Sequence, residues 1–367
     1  MMIDFAARRS RLLKLVSGAS AHALLVTNPV NVTYLTGFTG HDSYLLLAPG
    51  RALMISDPRY EEQISEECPE LETYIRSPGV VLAAATIARL KKLKLPTMLV
   101  EGDSMSVNFH QLIASALKST SITSSSGLVE SIRMIKDPFE IAAIRRAIVM
   151  AERIFTSLRA GLRSDHTELD VVNELERQVR QVGGRGTSFS PIVAVGSRAA
   201  LPHAVPSQRT IGESPFVLVD WGALEGLYRS DLTRVIITGK LPPKFPKVYA
   251  AVLDAQRAAI AAIRPGILAK EVDAIARGPI EKAGFGSRFN HGLGHGIGLD
   301  IHEAPRLGKN QEQSLQAGMI ITVEPGIYFP GWGGVRLEDD VLVTREGCEV
   351  LSSLPTDMDA NRIELLA

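Results

Sequence analysis

Four carboxylates in the C-terminal half fall into two matched pairs, and each pair straddles a turn. Asp220 and Asp231 lie in PFVLVDWGALEGLYRSDLTRVIIT; Glu324 and Glu338 lie in MIITVEPGIYFPGWGGVRLEDDVLVT. In each stretch two β-rich runs flank a glycine-containing break, the pattern of a hairpin. The midpoint of the first pair falls at Glu225–Gly226 and that of the second at Gly331. Each pair is therefore expected to face across its strands, with Cβ atoms roughly 4.5–5.5 Å apart. Like charges placed so repel unless something positive lies between them. Oxygen-rich ligands of this kind favour a hard or borderline divalent metal.

Imidazoles tighten and orient such a site. Four of the eight histidines, His203, His291, His295 and His302, fall between residues 203 and 302, three of them in HGLGHGIGLDIH. Glycines 292, 294, 296 and 298 remove side-chain bulk there, which lets backbone approach closely. The passage lacks the GxGxxG order, so a dinucleotide loop is not supported. Arg336 stands two residues before Glu338 and so shares its face of a strand. Arg306 follows His302 by four. A guanidinium beside such a site suits a carboxylate, which it can grip through two bonds. The plainer alternatives are an Arg336–Asp340 ion pair and a surface position for Arg306. Asp339 and Asp340 read as structural, and Tyr228 and Arg234 as packing or bracing the first hairpin.

These residues need a scaffold of ordinary composition. The chain has 367 residues, enough for two domains, with 45% apolar and 22% charged residues and a formal net charge of zero. That composition suits a globular protein and carries no basic footprint for nucleic acid or a membrane surface. The two cysteines, Cys68 and Cys348, lack metal-site spacing and read as free thiols. The N-terminal segment is charged throughout, without the apolar region of a signal peptide. No run approaches the roughly 18 apolar residues of a membrane span. A cytoplasmic enzyme is the expectation, and Asn31-Val32-Thr33 reads as a chance glycosylation sequon.

Residues 1–127 read as an alternating α/β domain. Helices are expected near 4–18, 58–67 and 80–92, and strands at ALLVTN, SYLLLAP, ALMISD, TYIRS and TMLVEGD. STSITSSSG, at 119–127, has no helical period and is read as a boundary. Residues 128–367 form the second domain. Asp137-Pro138 supplies an N-cap and first helical residue for a long helix. Further helices are expected near 166–182, 244–264 and 268–284. Helix–helix–hairpin thus occurs twice, consistent with a duplicated architecture.

VDWGALEGLYRSDLTR, HGLGHGIGLDIHE, TVEPGIY and VRLEDD, in that order over about 120 residues, resemble the metallopeptidases of the pita-bread fold, family M24. Within it the chain is similar to the Xaa-Pro branch of prolidases and aminopeptidase P. Weaker similarity runs upstream through FSPIVAVGSRAALPHAVPS and SIRMIKDPFEI, and the N-terminal residues look like that branch's creatinase-type domain. The resemblance implies an α/β (α+β) chain: a creatinase-like N-terminal domain and a pita-bread catalytic domain. It implies two divalent ions per subunit, manganese first, with cobalt, zinc or iron as alternatives. Asp220 would chelate one ion, Asp231 and Glu338 would bridge both, and His295 and Glu324 would hold the other. One bridging acid from each hairpin would set the hairpins face to face. A hydroxide shared by the ions would attack the peptide carbonyl, with Glu324 shuttling its proton. His203, His291 and His302 would line the substrate side as catalytic and substrate-binding groups.

The implied activity is hydrolysis before proline in Xaa-Pro dipeptides, in a homodimer that binds neither nucleic acid nor membrane. Arg306 matches an arginine proposed in prolidases to hold the substrate's C-terminus, and with Arg336 it is a candidate substrate-binding residue. The first alternative is an Xaa-Pro aminopeptidase acting on longer peptides. A creatinase-like amidinohydrolase or a non-catalytic pita-bread binding protein ranks lower, because those relatives have lost metal ligands and all five are present here.

Overall fold

The computed structural model describes residues 3–366. It divides into two compact units between Arg133 and Met134. The first unit runs α1 (Phe5–Gly18), β1 (Ala23–Val26), α2 (Pro29–Thr36), β2 (Tyr44–Ala48), β3 (Arg51–Ser56), α3 (Glu61–Glu67), β4 (Glu72–Ile75), α4 (Leu82–Leu93), β5 (Thr97–Glu101), α5 (Val107–Ala116), β6 (Ser121–Ser125) and α6 (Leu128–Arg133). Its six strands form one sheet in the order β4-β3-β2-β1-β5-β6. The β2 strand is antiparallel to β1 and β3, and the remaining pairs are parallel. Every residue of the central β1 is buried, as expected of an uninterrupted apolar run in the middle of a sheet.

Two features of this unit differ from the sequence expectation. The serine- and threonine-rich stretch, read as a boundary, holds a strand that was not expected: it forms β6, paired in parallel with β5. An edge strand has one neighbour and tolerates polar side chains, so apolar periodicity does not mark it. Three short helices, α2, α5 and α6, were not expected. Two of them carry caps: Asn28 accepts from the Val30 N–H ahead of Pro29, and Ser106 accepts from the Phe109 N–H. Asn31 of the sequon is fully buried and donates to Glu101.

The second unit continues α7 (Pro138–Ala160), α8 (Glu168–Gln181), β7 (Gly186–Thr187), β8 (Ile192–Val195), β9 (Phe216–Trp221), β10 (Ala223–Glu225), β11 (Tyr228–Arg229), β12 (Leu232–Ile237), α9 (Phe245–Ala262), α10 (Ala269–Lys282), β13 (Gly294–Gly296), β14 (Glu303–Leu307), β15 (Ile320–Val323), β16 (Gly326–Phe329), β17 (Gly333–Arg336), β18 (Asp339–Val343) and β19 (Cys348–Val350). Asp137 and Glu140 form a complete capping box at the start of α7. Helix–helix–hairpin occurs twice, as expected.

Strand alternation sorts the core into two layers. On one face of β9 and β12, Phe216, Leu218, Val235 and Ile237 pack with α9 and α10 residues such as Val252 and Ala276. On the other, Val217, Val219, Trp221 and Ile236 pack with Phe155, Leu158 and Leu175 of α7 and α8. Phe155 stacks on Trp221 with ring centroids 4.0 Å apart. Asp220 and Thr233 continue the first face beyond its apolar part. Among the described residues, no helix is long and apolar enough to cross a membrane.

Candidate active site

The two acid-bearing hairpins keep different registers. In the second, Gly326 pairs with Arg336 and Val323 with Asp339. Glu324 and Glu338 therefore stand opposite one another about Gly331, as their spacing predicts. In the first, Leu224 pairs with Arg229 and Glu225 with Tyr228 across a two-residue turn, Gly226-Leu227. Asp220 consequently faces Thr233, not Asp231. The true midpoint lies between Gly226 and Leu227, because Gly226 supplies the positive φ, 57°, that the tight turn requires. Asp231 is two residues from Thr233 and so diagonal to Asp220.

The hairpins also do not lie face to face. They meet edge to edge, through an antiparallel bridge between Thr233 and Glu338. One transverse row therefore runs Asp220, Thr233, Glu338, Glu324 across adjacent strand segments, all pointing to one face. Two residues further along, the Asp231 N–H donates to Asp340 Oδ2 at 3.1 Å. His295 enters from β13, where Gly296 pairs with Ile321, and its N–H donates to Thr322 Oγ1 at 3.1 Å.

This places His295 Nε2 at 3.6 Å from Asp231 Oδ2 and 3.4 Å from Glu324 Oε1. Asp231, His295 and Glu338 each offer a ligand atom within 4.8 Å of the others. The His295 ring contacts the Gly296 carbonyl through Nδ1 at 3.0 Å, so the proton sits on Nδ1 and the Nε2 lone pair faces the acids. Burial pushes His295 down to about 3, which keeps the imidazole neutral, the form that ligates a metal.

The acids carry the opposite shift. Burial, reinforced by neighbouring carboxylates, holds Asp231 and Glu338 well above the ordinary range, and burial raises Asp220. Glu324 is pushed up to about 7, chiefly by burial. Asp220 Oδ1 is buried without a hydrogen-bond partner. Crowded, desolvated carboxylates with an orphaned oxygen and an imidazole lone pair are a donor set that fits divalent cations.

All ten residues singled out from the sequence line one cavity of about 1280 Å³: Asp220, Asp231, His295, Glu324 and Glu338, with His203, His291, His302, Arg306 and Arg336. His302 packs edge-on against His295, with ring centroids 4.4 Å apart. His203 lies on an exposed turn of the wall. Arg336 is buried and donates to Asp220 Oδ2 at 2.5 Å, Tyr328 OH at 2.9 Å and Thr233 Oγ1 at 3.2 Å, so it does not pair with Asp340. Arg306 sits opposite His295 on β14 and makes no side-chain hydrogen bond or ion pair among the described residues. Asp339 pairs with the fully buried Arg234 at 2.7 Å, and Tyr228 donates to Glu140 at 3.1 Å; both are bracing roles.

Three residues escaped the sequence reading. Thr233 donates to Glu338 Oε2 at 2.6 Å. Thr322 donates to Glu324 Oε1 at 3.2 Å. Tyr328 accepts from Arg336 and meets His291 Nε2 at 3.0 Å. Period-two spacing from Asp231 and Glu324 marks the two threonines, but hydroxyls carry no charge signal of their own.

Residues 142–345 match the model for metallopeptidase family M24, and residues 8–135 match that for the creatinase/prolidase N-terminal domain. The chain is 34% identical to "Uncharacterized peptidase YqhT" of Bacillus subtilis (strain 168), covering 91% of this chain and 94% of that protein. Among solved structures, an Xaa-Pro dipeptidase from Bacillus anthracis superposes with a TM-score of 0.92 at 36% identity, over 99% of this chain and 100% of that one. An X-Pro aminopeptidase from Thermotoga maritima MSB8 superposes with a TM-score of 0.86 at 32% identity, over 95% and 99%.

Proposed function

The chain belongs to metallopeptidase family M24, and from that premise we propose that it is a prolidase-like enzyme cleaving the bond before proline in Xaa-Pro dipeptides. Asp220, Asp231, His295, Glu324 and Glu338 hold two divalent ions, manganese foremost, which when bound lower the pKa of water to near neutrality and polarise the peptide carbonyl. Glu324 takes the proton of the attacking water and returns it to the leaving nitrogen. Cleavage before proline releases a secondary amine, which leaves only once protonated.

The histidines work from the substrate side. Burial pushes His291 down to about 4. Its Nδ1 donates to the Gly292 carbonyl at 2.7 Å, so Nε2 accepts from Tyr328. A fixed neutral ring of this kind can bear on the substrate without adding charge. His302, against His295, and His203, also lining the cavity, complete the wall around the scissile bond.

Arg306 carries the choice of a dipeptide. It lines the cavity on the strand position paired with His295, and among the described residues no carboxylate forms an ion pair with it; a free substrate C-terminus can be gripped there through two bonds. The dipeptidase similar at 36% identity supports the same choice; the aminopeptidase similar at 32% keeps the longer-peptide activity as the alternative. The complete ligand set speaks against a creatinase-like amidinohydrolase or a scaffold.

The test is a panel of Xaa-Pro dipeptides, C-terminally amidated dipeptides, tripeptides with proline second, and creatine, each run with manganese, cobalt, zinc and iron after chelation. Dipeptides alone should turn over well. Equal cleavage of tripeptides would shift the assignment to the aminopeptidase. A homodimer in the cytoplasm is proposed with this activity, to be checked by light scattering and cell fractionation.

A further inference from the structure

Lys136 and Glu303 form a buried ion pair that none of this chemistry uses. Lys136 Nζ lies 3.1 Å from Glu303 Oε2, with the two side chains only 1% and 6% exposed. Burying such a pair brings little net stability over apolar residues of the same volume, so its position is the more informative property.

Between β13 and β14 the register runs Gly294 to Leu307 and His295 to Arg306, then jumps to Gly296 opposite Glu303. Directly paired residues share a face of the sheet, and successive residues alternate. Arg306 therefore lies on the cavity side with His295, and Glu303 on the reverse side. The jump turns Glu303 inward and leaves the preceding residue, His302, against the His295 ring.

Glu303 then organises the loop that carries His302. Its Oε1 accepts the Asp300 N–H at 3.0 Å. A Cβ at Gly298 would come within 2.9 Å of both carboxylate oxygens, so the loop backbone closes directly over the carboxylate. Lys136 is itself fixed: its N–H donates to the Gly318 carbonyl, and the Gly318 N–H to the Val343 carbonyl, each at 2.9 Å.

We propose that Lys136 and Glu303 are positioning residues for catalysis: Lys136 anchors the Glu303 carboxylate, and Glu303 sets the loop that presents His302 beside His295. The inference rests on His302 acting on the substrate side, as in the function proposed above. Glu303 lies on the reverse side of the strand pair from His295, so the pair acts on turnover through the placement of His302.

The experiment is a double-mutant cycle in the metal-loaded full chain, with Lys136→Met, His302→Ala and the two combined, and with Glu303→Gln as a size-matched variant should Lys136→Met fail to fold. Lys136→Met or Glu303→Gln should lower kcat/KM on an Xaa-Pro dipeptide by about 10–100-fold, mostly in kcat, with the bound manganese per chain unchanged. In the His302→Ala background either change should cost less than about threefold more, because the group it positions is already gone. Losses that multiply in full, or single variants with wild-type kcat, overturn the inference. A wild-type enzyme inactive on every Xaa-Pro substrate overturns the functional reading instead, so the two failures are distinct.

Discussion

The backbone of Glu338 bridges to that of Thr233, and the Thr233 hydroxyl donates to the Glu338 carboxylate at 2.6 Å. One residue thus joins the two hairpins edge to edge and orients the Glu338 carboxylate. It also accepts from Arg336, which in turn holds Asp220.

Thr233→Val removes that hydroxyl while keeping the β-branched shape. Manganese affinity, measured by isothermal titration, should fall by about 10–100-fold, the usual cost of losing a partner that orients a metal ligand. Thr233→Ser should stay close to wild type. Equal affinity in the valine variant would show that the backbone bridge alone places Glu338.

The carboxylates predict a pH dependence of defined sign. In the metal-free protein Glu324 is raised from an ordinary value near 4.5 to about 7, chiefly by burial, and burial with neighbouring carboxylates holds Asp231 and Glu338 well above the ordinary carboxylate range. A folded-state pKa above the unfolded one means the folded protein holds the extra proton, so stability falls as pH rises through that interval. Chelated protein should therefore melt at a progressively lower temperature between about pH 5 and 7.5. Metals compete with those protons, so saturating manganese should raise the melting temperature by an amount that grows with pH. A gap independent of pH would contradict this account.

Arg306→Ala tests substrate length. A charge-assisted grip on a free C-terminus contributes about 1.5–3 kcal/mol, so KM for dipeptides should rise about 10–100-fold. Amidated dipeptides, already deprived of the carboxylate, should change little. A comparable loss on both substrates would assign Arg306 a different role.

Arg234 predicts a stability effect. Its guanidinium is fully buried and donates to Asp339 and to the backbone carbonyls of Thr233, Glu338, Leu354 and Pro355. Arg234→Met strands Asp339 in the interior, at a cost of about 3–5 kcal/mol. Chemical denaturation of the metal-loaded protein should register that loss directly, with the midpoint moving to lower urea.

Much of this was legible in the chain. The Asp137-Pro138 helix start, the second hairpin's register about Gly331 and the common face of Glu338 and Arg336 follow from local rules: a cap, a turn and a two-residue period. Tertiary structure decided the rest. The first hairpin turned on Gly226-Leu227, since a tight turn selects its register by which residue accepts positive φ; that set Asp220 opposite Thr233. Its neighbour came from a strand more than a hundred residues away, through the Thr233–Glu338 bridge, which no spacing within either hairpin encodes. The partner of Arg336 could not be read for the same reason. Period two fixes the face a guanidinium points to, but only packing decides which of the acids on that face, Asp220 or Asp340, lies within reach.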